Sequence, residues 1–170
     1  MLSRRQITFG AAAAIGATGI AGLSLAKGDE KTETNMSFDN EWGNLTEAEW
    51  KARLTDMEFY VLRKEGTERA GTSPLDDEKR KGTFVCKGCA LPLFKSHMKY
   101  NSRTGWPSFF DVIDDAVGTK ADNKLWAKRT EYHCSRCGGH QGHVFNDGPR
   151  PTGLRYCNNG VALDFIPDEA

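Results

Sequence analysis

The rhythm of apolar and polar positions changes three times along the chain. Residues 6–26 carry no charge and are mostly Ala, Gly and small aliphatics. Residues 28–38 are polar with no apolar period, the pattern of a flexible linker. Two helix starts follow. Thr46-Glu47-Ala48-Glu49 and Thr55-Asp56-Met57-Glu58 each place Thr three residues before Glu, the capping box, ahead of Trp50 and Leu54 in one case and Tyr60, Val61 and Leu62 in the other. They predict short helices over 47–54 and 56–65, the second stopped by Gly66. From Gly82 onward the apolar runs shorten and Gly, Asn, Asp and Pro separate them. Strands are expected at 83–86, 93–94, 109–113, 125–127, 130–134, 142–145, 154–157 and 161–166. Many short strands with turn signals predict a mainly β protein of antiparallel sheets with short N-terminal helices.

Length and charge narrow the function classes. The 170 residues suit one ordinary domain, and 23 basic residues balance 23 acidic ones. A nucleic-acid coat protein is excluded by that balance. Hydrophobic residues at 38% exclude disorder along the whole length.

Residues 1–26 read as an address. Arg4 and Arg5 precede the uncharged run, and Ser24-Leu25-Ala26 places small residues before Lys27 as a cleavage site would require. Ser3-Arg4-Arg5-Gln6-Ile7-Thr8 is similar to a twin-arginine export signal. The expected organisation is a signal peptide over 1–26, a linker over 27–41 and one domain over 42–170. Loss of Arg4 and Arg5 would take the net charge from zero to −2. The expected location is periplasmic. The competing reading is an uncleaved membrane anchor, which about 20 apolar residues can provide, although this run is poor in large aliphatics.

Five cysteines leave one over from any pairing. Cys86-Lys87-Gly88-Cys89 and Cys134-Ser135-Arg136-Cys137 have the two-residue gap that lets both sulfurs of a turn reach one ion, so four thiolates predict a structural zinc. The knuckles stand 44 residues apart, so the metal would tie distant parts of one domain together. A pair of disulfides and a redox-active Cys-x-x-Cys are the alternatives. Cys157 remains. If 154–159 is a strand, Arg155, Cys157 and Asn159 share a face, and a cation and an amide beside a thiol suit a nucleophile. An inert buried cysteine is the competing reading.

Four histidines are present. His140 and His143 suit acid–base work near neutral pH, whereas His97 and His133 read as surface or packing residues. Trp106, between Gly105 and Pro107, can present its indole to an apolar group such as a thioether methyl, or fill a core at a turn.

Taken together, Gly66-Thr67-Glu68-Arg69, Thr72-Ser73-Pro74, Cys86-x-x-Cys89, Gly105-Trp106-Pro107-Ser108-Phe109, Cys134-x-x-Cys137, His140-x-Gly142-His143-Val144-Phe145, Asp147-Gly148-Pro149 and Arg155-Tyr156-Cys157-x-Asn159 are co-linear over some 125 residues. In this the chain resembles the methionine-R-sulfoxide reductase family of the B type. The resemblance implies two antiparallel sheets and a structural Zn2+ on Cys86, Cys89, Cys134 and Cys137. It also implies a Cys157 nucleophile with Trp106, His140, His143, Asp147, Arg155 and Asn159 around it. Substrates would be oxidised proteins or free methionine sulfoxide. Many members carry a resolving cysteine just before Gly-Trp-Pro-Ser-Phe, where this chain has Thr104. An external thiol, such as a thioredoxin-like protein, would then regenerate Cys157. A monomer is expected, with no nucleic-acid partner and a membrane met only through the export segment. A zinc-ribbon-like binding module and a thiol redox sensor are the competing readings.

Overall fold

The computed structural model describes residues 41–124 and 128–169. The expected signal peptide, nearly all of the expected linker and the run 125–127 lie outside the described residues. Both capping boxes form. Helix α1 (Glu47–Arg53) is capped by Thr46 with Glu49 reaching back, and α2 (Asp56–Lys64) by Thr55 with Glu58. The end of α2 differs from expectation in its mechanism. Glu65, not Gly66, takes the left-handed conformation, at φ 54°. Gly66 is needed for space instead, because a Cβ there would collide with the Tyr60 ring.

The strands are β1 (Gly82–Cys86), β2 (Pro92–Lys95), β3 (Lys99–Tyr100), β4 (Ser108–Phe109), β5 (Val117–Asp122), β6 (Arg129–Cys134), β7 (His140–Phe145), β8 (Arg155–Asn158) and β9 (Leu163–Pro167). Among the described residues they form two antiparallel sheets, ordered β2-β1-β9 and β3-β4-β8-β7-β6-β5. The mainly β expectation with two short helices therefore holds. Several boundaries moved. The run 109–113 is a strand only to Phe109, and 161–166 opens with a 3-10 turn over Gly160–Ala162. Strands β3 and β5 carried no expectation. In β5, Val117-Gly118-Thr119-Lys120-Ala121-Asp122 lacks an apolar alternation, and its pairing with β6 supplies the order.

The core lies between the sheets and is aromatic. Phe84 and Phe94 of the small sheet meet Phe109 and Tyr132 of the large one, with Phe94 stacked on Phe109 at 4.0 Å between centroids. All four are fully buried, each worth about 1.5–3 kcal/mol of transfer free energy. On β6 the side chains alternate: Tyr132 and Cys134 face this core, while Arg129, Glu131 and His133 point to the opposite face. That opposite face carries the polar chemistry.

Candidate active site and metal centre

The two Cys-x-x-Cys turns are both strand-to-strand turns, one between β1 and β2, the other between β6 and β7. In each, the residue after the second cysteine is left-handed: Ala90 at φ 57° and Gly138 at φ 68°. Backbone N–H groups of these residues donate to the carbonyls of Cys86 and Cys134. The four buried Sγ atoms lie within 4.8 Å of one another, with Cys86–Cys137 at 3.6 Å and Cys89–Cys134 at 3.5 Å. A tetrahedron with 2.3 Å metal–sulfur bonds has edges of about 3.8 Å. The donor set therefore fits a four-coordinate metal, and four thiolates at these separations need a cation between them to coexist ionised. Arg63 Nη1 donates to the Cys137 carbonyl at 2.8 Å, and Gln141 Nε2 to Cys86 Sγ at 3.4 Å.

Cys157 sits mid-sheet on β8. Its cross-strand partner on β4 is Ser108 and on β7 is His143. His143 is in turn opposite Glu131 on β6, so Glu131, His143 and Cys157 form one row on one face. Gly142 makes the neighbouring row close: a Cβ there would collide with the Cys157 carbonyl. With no side chain between them, Tyr132 reaches past Gly142 to donate to Asn158 Oδ1 at 2.6 Å.

His140 and His143 are three residues apart, which on a regular strand would send them to opposite faces. The register of β6 against β7 shifts between Tyr132 and His133, so that His133 pairs with His140. This bulge returns His140 to the face of His143, and the two rings meet edge-on at 5.5 Å. Each ring is held by a carboxylate. His140 Nδ1 lies 2.7 Å from Glu131 Oε1, and His143 Nε2 lies 2.8 Å from Asp122 Oδ2. Burial lowers the pKa of His143, and the Asp122 hydrogen bond opposes that.

A cleft of about 130 Å³ opens on this face, lined by Trp106, Arg129, His143, Phe145, Cys157 and Asn159, with Thr67, Gly142 and Asn158. Trp106 Nε1 donates to the Glu68 carbonyl at 3.2 Å. Asn159 Oδ1 accepts from the Glu68 N–H at 3.0 Å, and its Nδ2 donates to the Gln141 carbonyl at 3.0 Å, leaving one amide N–H uncommitted among the described residues. Burial raises the pKa of the Cys157 thiol, and Arg155 and the Thr104 hydroxyl counter it. Arg155 makes a bidentate pair with Asp147, both bonds at 2.9 Å, and lies over the Phe145 ring at 4.3 Å.

Of the expected site residues, Trp106, His143, Cys157 and Asn159 line the cleft. His140 is buried behind His143, and Arg155 with Asp147 forms an ion pair that acts on Cys157. Comparison with other sequences agrees in scale. The SelR domain signature matches residues 54–167. Peptide methionine sulfoxide reductase MsrB of Leptospira interrogans is 50% identical over 123 residues, 72% of this chain and 94% of that protein. The protein of the same name from Methanosarcina mazei is 50% identical over 125 residues, 73% and 89% of the two chains. The Thiobacillus denitrificans one is 46% identical over 125 residues, 73% and 95%.

The chain belongs to the methionine-R-sulfoxide reductase family of the B type. Members of this family are oxidoreductases, which accords with an accessible thiol flanked by an acid–base group. Asp122, Arg129, Glu131 and Glu68 had no role assigned from the sequence of this methionine-R-sulfoxide reductase. Asp122 and Glu131 lie 21 and 9 residues from the histidines that they hold. The usable signal was the Arg129-x-Glu131 alternation beside an otherwise polar strand.

Proposed function

We propose that this chain reduces the R epimer of methionine sulfoxide, chiefly in oxidised proteins, through a sulfenic acid on Cys157. The observation that carries the reading is the direct cross-strand pairing of Cys157 with His143 beside the Trp106 indole in one cleft. The Cys157 sulfur attacks the sulfoxide sulfur, and His143, held by Asp122, protonates the oxygen on which charge grows. The uncommitted Asn159 N–H orients that oxygen. Trp106, fixed by Glu68, packs on the S-methyl group. Atoms balance: one thiol and one sulfoxide give one sulfenic acid and one thioether. His140, on Glu131, supports the His143 ring from behind. Arg155 favours the thiolate, and Asp147 orients the guanidinium.

Thr104 stands where a resolving cysteine would be, and four of the five cysteines face one another away from Cys157. An external thiol therefore attacks the sulfenic acid, releasing water and forming a mixed disulfide, and a second thiol frees Cys157. Cys86, Cys89, Cys134 and Cys137 would hold Zn2+. Bound there, zinc supplies folding energy and takes no part in the reaction.

Turnover of each sulfoxide epimer with dithiothreitol tests the reading. Methionine should form from the R epimer, and equal rates on both would overturn it. Without reductant, turnover should stop at one methionine per chain, with a dimedone-reactive Cys157 and no intramolecular disulfide. Residues 1–26 are proposed as a cleaved twin-arginine signal. Changing Arg4 and Arg5 to Lys should strand the precursor in the cytoplasm, and normal export would point to another route.

A further inference from the structure

Among the described residues, the large sheet carries a carboxylate, Asp122, outside the sequence motifs that carry the family resemblance. Asp122 ends β5 opposite Arg129 on β6. Its Oδ2 receives Arg129 Nη2 at 2.6 Å and faces His143 Nε2 at 2.8 Å, and its Oδ1 accepts the Lys124 N–H at 3.0 Å. It is 8% exposed. The Lys124 N–H, His143 and Arg129 hold its pKa far below the usual carboxylate range. An ionised carboxylate can only accept, so the proton between Asp122 and His143 belongs to His143 Nε2. That leaves Nδ1 as the ring nitrogen not engaged by Asp122, on a residue that lines the cleft.

We propose that Asp122, clamped by Arg129, is the positioning residue that fixes the ring and tautomer of His143 so that Nδ1 serves the reacting sulfoxide oxygen. The proposal rests on the sulfoxide-reductase reading and deepens it. In the protonated ring Nε2–H stays on Asp122 and Nδ1–H is donated. After the transfer the ring is neutral with its proton on Nε2, and Asp122 remains ionised. Arg129 has a double part, lining the cleft while its charge is spent on Asp122. The charged and titratable groups facing His143 are Asp122 from β5, Arg129 and Glu131 from β6, His140 on its own strand and Cys157 from β8. The Arg155–Asp147 pair lies further along, over Phe145. Of these, Asp122 is the group bonded to the His143 ring.

The sign of the pH effect follows. A donor must be protonated, so kcat falls as pH rises through the His143 pKa. Asp122 supports the protonated ring, and its loss lowers that pKa further. In Asp122→Asn, kcat on an R-sulfoxide peptide with dithiothreitol should fall about 10- to 100-fold, part of the roughly 10²–10⁴ that a positioned acid supplies. The alkaline limb of its kcat–pH profile should move toward acid. Asp122→Glu should recover part of the rate and restore the limb. A uniform loss with the limb unmoved would mean a merely structural carboxylate and overturn the proposal. Nitrogen-15 NMR of the wild-type imidazoles, assigned with His143→Gln, gives an independent reading. The neutral His143 should carry its proton on Nε2, and a proton on Nδ1 would refute Asp122 as its anchor. This measurement stands even where Asp122→Asn does not fold. Should the wild type reduce neither epimer, the functional reading fails while the NMR result still decides whether Asp122 sets the tautomer.

Discussion

At the scale of single residues, Cys157 is not a ready-made thiolate. Burial raises its pKa, and Arg155 and Thr104 only offset that. Arg155 in turn is shared with Asp147, which raises the guanidinium pKa by its hydrogen bonds. Alkylation of Cys157 should therefore accelerate as pH rises into the alkaline range. Arg155→Ala removes the opposing charge and should shift the whole rate–pH curve to higher pH, with several-fold slower reaction at pH 8. Iodoacetamide labelling read by peptide mass spectrometry checks this, and an unshifted curve would remove Arg155 from the account of the thiol. Glu68 works through its backbone as much as through its side chain. Its N–H and carbonyl hold Asn159 and Trp106, while its buried carboxylate accepts from the Gly160 and Val161 N–H groups. The motif containing Glu68 was legible in the sequence. That one residue ties the indole to the amide was not, because its partners lie 38 and 91 residues away.

At the scale of elements, the helices were readable because a capping box is a local device, complete within four residues. The β7–β8 pair was readable only in part. Its hydrophobic content marked two strands, but the bulge that gathers His140 and His143 on one face depends on the register against β6. Gly142 stands at the centre of this arrangement. Gly142→Ala would drive a methyl into the Cys157 carbonyl and prise β7 from β8. The expected cost is about 1–3 kcal/mol in chemical denaturation, the range for overpacking a closed site. The accompanying loss of sulfoxide turnover should exceed what the unfolded fraction explains, because His143 and Cys157 are displaced from each other. Full activity in the folded fraction of Gly142→Ala would show that the exact approach of the two strands is unimportant.

At the scale of the whole molecule, the four-cysteine centre joins the two sheets. Cys86 ends β1 of the small sheet and Cys134 ends β6 of the large one, and α2 reaches the same centre through Arg63. Zinc bound there would be a covalent cross-brace over an aromatic core that already spans both sheets. Cys86→Ser should lose the metal and melt well below the wild type, since structural zinc sites contribute several kcal/mol or more, up to about 10–16 in small peptides. Metal analysis should find one zinc per wild-type chain. A Cys86→Ser protein with the wild-type melting temperature would show that the core alone holds the sheets together. Among the described residues no helix is long and apolar enough to cross a membrane.

The amino-acid sequence by itself determined the helices, the mainly β character, the four cysteines that could hold a metal and the odd thiol, because each is written in short-range spacing. Two residues between the cysteines of each knuckle, two between a capping threonine and its glutamate, and short apolar runs cut by Gly, Asn, Asp and Pro all act within a few residues. Tertiary structure alone decided which carboxylate holds which histidine, that Asn159 is half committed to Glu68 and Gln141, and that Arg129 belongs to the cleft. Those relations run across strands, where a single bulge or a missing Cβ changes which side chains meet. A sheet face is assembled from residues far apart in the chain, so its chemistry becomes visible only once the register is set.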